Sequence, residues 1–247
     1  MTQLSIKLKN VSKTFTFKSE NNVQSKIPNV FSKSHSTKIT ALNNITLDIP
    51  KGEFVAIIGR NGSGKTTLLR SIAGIYTPNL GEITVSGTLA PLLHIGTGFH
   101  QELDAKENIL LSGLLMGMEK NYIEQKTNDI IKYAELEKFT GMKLKHYSTG
   151  MRSRLAFSLA LQLNPDILLI DEILSVGDKK FREKSFESFL SLKKENRTIV
   201  LVTHNLDLPL KIADRVILME DGKISSIGIP EEVIKKYNNE LQDNEKK

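Results

Sequence analysis

The sequence predicts an α/β domain with a largely parallel central sheet. Short strand-like runs alternate with helical patterns along most of its 247 residues. Three runs, Phe54–Ile58, residues 167–170 and Thr198–Val202, are apolar but for Thr198, as strands covered on both faces must be. The first of them runs straight into a glycine-rich turn and then a helical pattern.

Taken in order, residues 4–9 alternate apolar and polar as a strand does, and a polar stretch over residues 19–38, with one proline, reads as a loop. Residues 41–49 alternate again, and Pro50-Lys51-Gly52 is a turn into the first buried strand. A helix is expected from Lys65 to about Gly74, and short strands over residues 81–93. Apolar residues at three- and four-residue spacing predict helices over residues 105–138, and a further helix after Gly150 with Leu155, Leu159 and Leu163 on one face, ended by Pro165. Residues 181–194 form a helix between two buried strands. Residues 216–219 and 223–227, joined by Asp221-Gly222, read as a hairpin, and the chain from Pro230 as a charged helix that frays. Residues 1–230 are expected to form one domain, with a helical lobe over about 100–162 and a C-terminal helix and tail over 231–247.

Composition narrows the chemistry. With no cysteine, disulfides, thiol catalysis and cysteine metal sites are excluded. No apolar run is long enough for a membrane span, and the first ten residues carry no apolar signal core. The net charge is +6, and residues 18–38 hold four lysines against one acid, Glu20. That segment is either a solvated loop or a stretch lying near an anionic membrane surface.

Residues Gly59-Arg60-Asn61-Gly62-Ser63-Gly64-Lys65-Thr66 satisfy G-x-x-x-x-G-K-[ST], between a buried strand and a helix. The glycines let successive backbone N–H groups converge on phosphate oxygens, and the helix, with Thr67 in its first turn, adds its positive end. Lys65 then reaches the β- and γ-phosphates, and the Thr66 hydroxyl serves Mg²⁺. Downstream, Asp171 and Glu172 end an apolar strand. In open α/β sheets that is where ligands bind. Asp171 can hold Mg²⁺ through water, and Glu172 can polarise a water for attack on the γ-phosphate.

Between these motifs lies Tyr147-Ser148-Thr149-Gly150-Met151, which alone would pass for a helix N-cap. Together with Lys65, Asp171-Glu172 and His204 after a buried strand, it resembles the signature of ABC-type ATPases. Their usual L-S-G-G-Q is replaced here, with only the serine and second glycine kept. Leu174-Ser175-Val176-Gly177-Asp178 resembles their D-loop, and His204 their switch histidine. The resemblance covers nearly the whole chain. It implies a P-loop NTPase with a RecA-like core, an antiparallel β-subdomain and a helical lobe. It also implies ATP and Mg²⁺ as ligands, and a head-to-tail homodimer in which Ser148, Thr149, Gly150 and Met151 close on ATP held by the partner's cradle. Glu172 and His204 would act on the attacking water. In that family an aromatic near Val11-Ser12-Lys13 stacks on adenine; Phe15 fits by register, Phe17 follows closely, and either could be β-subdomain core.

The altered signature, Leu92-Leu93-His94-Ile95-Gly96-Thr97-Gly98-Phe99 in the region of the usual Q-loop glutamine, and about twenty extra residues between Phe15 and Ala41 resemble one branch. Its members export lipid-linked O-antigen, capsule or teichoic acid. Glu107-Asn108-Ile109 fits the same group. His94 and Gln101 are both candidates for the Q-loop role. This branch implies a separate transmembrane permease, placement at the cytoplasmic membrane face, and no nucleic-acid partner. The length leaves no room for the glycan-recognition domain of longer members, so its absence is expected. An importer or drug-exporter ATPase remains the alternative, and a soluble ABC ATPase of translation or DNA repair a more distant one. No coiled-coil insertion separates Thr66 from Tyr147, and there is room for only one such domain.

Overall fold

The structure is a computed structural model that describes residues 3–18, 36–92, 99–162, 164–171 and 178–245. In chain order the elements are β1 (Leu4–Lys18), β2 (Ser36–Pro50), β3 (Phe54–Ile58), α1 (Lys65–Ile72), β4 (Leu80–Val85), β5 (Leu89–Leu92), α2 (Ala105–Leu115), α3 (Lys120–Ala134), α4 (Thr149–Gln162), β6 (Ile167–Asp171), α5 (Lys179–Lys194), β7 (Thr198–Val202), α6 (Asp207–Ile212), β8 (Arg215–Glu220), β9 (Lys223–Gly228) and α7 (Pro230–Glu245). Single 3-10 turns at Glu137–Phe139 and Leu144–His146 link α3 to α4.

Two sheets organise them. One has three strands in the order β2-β1-β4, antiparallel throughout. The other has six in the order β5-β6-β7-β3-β8-β9, parallel except for the hairpin strand β9. All five residues of β3 and of β7 are buried. Alternation through the six-stranded sheet then sorts side chains into layers. Val55, Ile57, Ile167, Leu169, Val200, Val202, Ile217 and Met219 join α1 and the three-stranded sheet in one core. On the other face, Phe54, Leu168, Ile170, Ile199 and Leu201 meet Phe157 of α4 and Phe181 and Phe189 of α5. A continuously apolar strand is the sequence trace of such two-sided covering.

The helical lobe has its own core, built from Ile109, Ile123, Ile130, Ile131, Leu144, Tyr147, Leu155 and Leu159. Helices α2 and α3 approach closely at Gly113, where a β-carbon would lie 2.6 Å from Ile123 Cδ1. A capping box between Asp104 and Glu107 starts α2.

Three expectations are corrected. Strand β1 does not stop at residue 9, and β2 begins at Ser36 rather than after the polar stretch; the two pair as a long hairpin from Leu4↔Pro50 to Lys18↔Ser36. Backbone pairing, not apolar alternation, carries its outer half. The C-terminal helix does not fray within the described residues but runs to Glu245. Val233 and Ile234 anchor it against Ala56, Ile58, Val216 and Leu218. Helix α6, six residues containing Pro209, has no counterpart in the sequence pattern. Most of the stretch read as a loop (residues 19–35), residues 93–98 with His94, Leu163, Glu172 and residues 174–177 lie outside the described residues. Among those described, no helix is long and apolar enough to cross a membrane.

Candidate nucleotide site

Strand β3 delivers the chain into a tight loop that only glycine can follow at two places. Gly59 has φ 145°, and a β-carbon there would lie 2.3 Å from the Met219 carbonyl. Gly64 has φ 100°, and its β-carbon would meet the Ala41 carbonyl at 2.4 Å. Lys65, only 6% exposed, folds back over the loop and donates from Nζ to the carbonyls of Gly59 and Arg60, 2.8 Å each. This holds the ammonium where a phosphate would take over its bonds.

The rest of the cradle points the same way. Gly64, the N-cap of α1, offers no side-chain cap, so the first turn of α1 presents backbone N–H groups toward the loop. Ser63 Oγ is buried without a hydrogen-bond partner in the structure, an atom that a phosphate oxygen would satisfy. A β-carbon at Gly62 would meet nothing within 4 Å, so that turn opens outward, with Arg60 and Asn61 exposed beside it.

Sheet order assembles the other groups. Strands β6, β7 and β3 are parallel neighbours, so their C-terminal ends share one edge. The edge carries Asp171 at the end of β6, His204 two residues beyond β7 and exposed, and the cradle after β3. Thr66 Oγ1 lies 3.5 Å from Asp171 Oδ1. Paired oxygen donors of this kind suit Mg²⁺, which is usually held by one or two carboxylates together with substrate phosphates. Glu172, next in sequence, is outside the described residues.

The aromatic candidates differ in setting. Phe15 pairs with Ile39 across the hairpin and is half-buried, its ring edge-on to Tyr76 with centroids 5.2 Å apart. Phe17 is 54% exposed. Ile39 is two residues from Ala41, whose carbonyl abuts Gly64, so Phe15 stands about 7 Å along the strand from the cradle.

The signature residues start α4. Ser148 accepts from the Met151 N–H at 3.1 Å and so caps the helix. Ser148 and Thr149 are exposed, and a β-carbon at Gly150 would meet only Ser148 Oγ, at 3.8 Å. The positive end of a 14-residue helix therefore faces outward. Tyr147, in place of the usual leucine, is buried and donates to the Phe139 carbonyl at 2.7 Å; burial pushes its phenol above the ordinary value.

Several site features were not read from the sequence. Arg154 on α4 donates to Asp178 at 2.8 Å, lies 3.5 Å from Glu135, and stacks over Phe181 at 5.0 Å. Asp178 itself caps α5 by accepting from the Phe181 N–H at 2.9 Å. That bond first, then Arg154, holds its carboxyl below the usual range. Asp178 thus ties the start of α5 to the signature helix. Asn108, fully buried, accepts from the His100 N–H and donates to the carbonyls of His100, Leu103 and Asp104. It pins residues 100–104 onto α2. Gln101 accepts from Arg152 at 3.3 Å, which engages it with α4.

Comparison with known proteins agrees with this arrangement. The model of the ABC transporter family matches residues 42–175, more than half the chain. The O-antigen export system ATP-binding protein RfbB of Klebsiella pneumoniae is 40% identical over 200 residues, 81% of each chain. Its namesake in Myxococcus xanthus is 45% identical over 199 residues, 81% of this chain but 46% of that one. The teichoic acids export ATP-binding protein TagH of Bacillus cereus is 37% identical over 233 residues, 94% of this chain and 42% of that one. The chain thus spans about half the length of the last two. Among solved structures, a dimeric post-hydrolysis state of the ATP-binding cassette MJ0796, bound to ADP and Pi, superposes with a TM-score of 0.74 at 27% identity, covering 91% of this chain and 98% of that one. With glycine loop, Asp171 strand end and outward-facing signature helix in the family's order, the chain belongs to the ABC transporter family, as an ATP-binding cassette.

Proposed function

We propose that this chain is the ATP-hydrolysing subunit of an exporter of lipid-linked surface polymer, of the O-antigen or teichoic acid class. The observation that carries the ATPase is the cradle, with Lys65 folded over the glycine loop and Thr66 facing Asp171. The choice of cargo is supported by the 40% identity to an O-antigen export ATP-binding protein over four-fifths of both chains.

The chemistry follows from the residues. The loop N–H groups and Lys65 bind the β- and γ-phosphates, and Phe15 carries the adenine. Thr66 and Asp171 would hold Mg²⁺, which when bound offsets phosphate charge. The Glu172 carboxylate accepts a proton from water as its oxygen attacks the γ-phosphorus. The bond to the β–γ bridging oxygen breaks, leaving ADP and phosphate. His204, at the same sheet edge, orients the γ-phosphate and the water. The signature helix exposes its positive end at Ser148 and Thr149, where it can serve a second copy's ATP. Two chains therefore close head to tail around two nucleotides, Asp178 linking each signature helix to the start of α5. A separate permease supplies the membrane path, which places this chain at the cytoplasmic membrane face, with the helical lobe and the basic segment of residues 18–38 toward the permease and lipid. No nucleic-acid partner is invoked.

The test is made in the host cell. Replacing the chromosomal copy with Lys65→Ala should abolish surface polymer and accumulate its lipid-linked precursor inside the membrane. Unaltered surface polymer would sink the export reading.

A further inference from the structure

Beyond Ser12, strand β1 loses its neighbour on one side, because its pairing with β4 ends at Ser12↔Leu80. The stretch carrying Phe15 is thus a two-stranded arm, and such arms are marginal alone. The turn after α1 takes the place of the missing strand. Asn79 Oδ1 accepts from the Thr14 N–H at 2.7 Å, the Asn79 N–H donates to the Ser12 carbonyl at 2.8 Å, and Lys13 Nζ donates to the Thr77 carbonyl at 2.7 Å.

Tyr76 completes the grip. Its ring meets Phe15 at 5.2 Å with an interplanar angle of 76°, the edge-to-face arrangement that aromatic quadrupoles favour. Lys13 Nζ lies 5.4 Å and 5.9 Å from the two ring centroids. Tyr76 is itself held by Arg70, whose Nη1 donates to the phenolic oxygen at 3.0 Å and whose carbonyl accepts the Tyr76 N–H at 3.3 Å. Arg70 sits in the last turn of α1, the helix whose first residue is Lys65.

We infer that Tyr76 is a positioning residue for the nucleotide base: its ring fixes the Phe15 ring and, through the backbone bond to the Arg70 carbonyl, ties it to the helix that carries the phosphate cradle. The inference rests on reading Phe15 as the base platform. A platform already held in place loses no rotamer freedom when the base arrives, so the gain appears as affinity. Bare triphosphate, which has no base, gains nothing from Tyr76. The ratio of ATP to tripolyphosphate affinity therefore isolates the effect from any general loss of structure.

Calorimetric titration of the full chain with ATP and with inorganic tripolyphosphate tests it. Phe15→Ala should weaken ATP about tenfold and leave tripolyphosphate unchanged. Tyr76→Ala should weaken ATP about fivefold, again with tripolyphosphate unchanged, and Tyr76→Leu, which keeps bulk without a ring, should do the same. Tyr76→Phe should stay within about twofold of the parent for both ligands. An unchanged ratio in Phe15→Ala would remove the base platform itself. A changed ratio there with a parental ratio in both the alanine and leucine variants of Tyr76 would leave the platform and overturn the inference. Equal weakening of both ligands by the Tyr76 variants would make Tyr76 a general fold residue and overturn it too. A phenylalanine variant as weak as the alanine one would place the effect in the hydroxyl and overturn the role of the ring.

Discussion

Thr66 Oγ1 and Asp171 Oδ1 lie 3.5 Å apart although 105 residues separate them in the chain. One lies in the first turn of α1 and the other ends β6, and they meet because β6, β7 and β3 run parallel side by side with their C-terminal ends together. The site is a product of sheet order, and most of what can be tested follows from it.

Lys65→Ala should lose most nucleotide affinity, at least about tenfold, because charge-assisted bonds to phosphate are among the strongest available. The lysine is buried and bonds two loop carbonyls, so the variant should also loosen the loop. Nucleotide titration checks the first effect, and protease sensitivity of the loop the second.

Glu172→Gln should still bind ATP while turnover falls by at least about a hundredfold, since removing a general base costs that order. ATP should then trap a dimer visible by size-exclusion chromatography. Parental turnover in this variant would show that another group accepts the proton.

Ser148→Asp separates capping from recognition. Aspartate caps a helix as well as serine does, so α4 should stay as stable or gain slightly. The added negative charge would face the partner's γ-phosphate, and ATPase activity should fall steeply. Thermal melting and activity, measured together, should therefore move in opposite directions. Activity of the parent should in addition rise faster than linearly with protein concentration at high dilution.

Asn108→Ala should cost roughly 1–2 kcal/mol in denaturant unfolding, because it removes the acceptor of the His100 N–H and a second donor from three carbonyls that each keep one backbone donor. A value near zero would mean that residues 100–104 find other partners.

Asp166 provides a test in pH. The Thr88 N–H and hydroxyl, then Arg197, hold its carboxyl below the ordinary value of 3.8. A carboxyl depressed by folding contributes above its unfolded pKa and loses that contribution as pH falls through the folded one. Asp166→Asn should therefore cost no more than about 1 kcal/mol at neutral pH, since the pair is partly exposed. The gap to the parent should shrink as pH drops below 3.8.

The sequence was most legible where burial is complete. Strands β3, β6 and β7 read as apolar runs, broken only by Asp171 and Thr198 at their ends, because both faces are covered. Asp221-Gly222 announced the β8–β9 hairpin, Asp221 taking φ 45° and Gly222 φ 74°. The outer half of the β1–β2 hairpin was not legible, since Thr16 and Thr37 are exposed and Thr14 meets Thr40 through hydroxyls, not apolar burial. Asn108 looked like a family fragment and proved a buried polar staple; one amide in a helical pattern gives no sign of four partners. Arg154 and Tyr76 were passed over for the same reason, because their roles depend on residues brought from other elements.

By itself the sequence determined the class of fold, the phosphate loop and the family, because those depend on local spacing: glycines where a backbone must turn, a lysine one step on, apolar runs where a strand is enclosed. Only the tertiary structure decided that Phe15 stands braced by Tyr76 while Phe17 stands exposed, that Asp178 answers to Arg154, and that the signature helix points outward. Each is a contact or orientation between elements far apart in the chain, set by strand order and helix packing, and no local pattern encodes it.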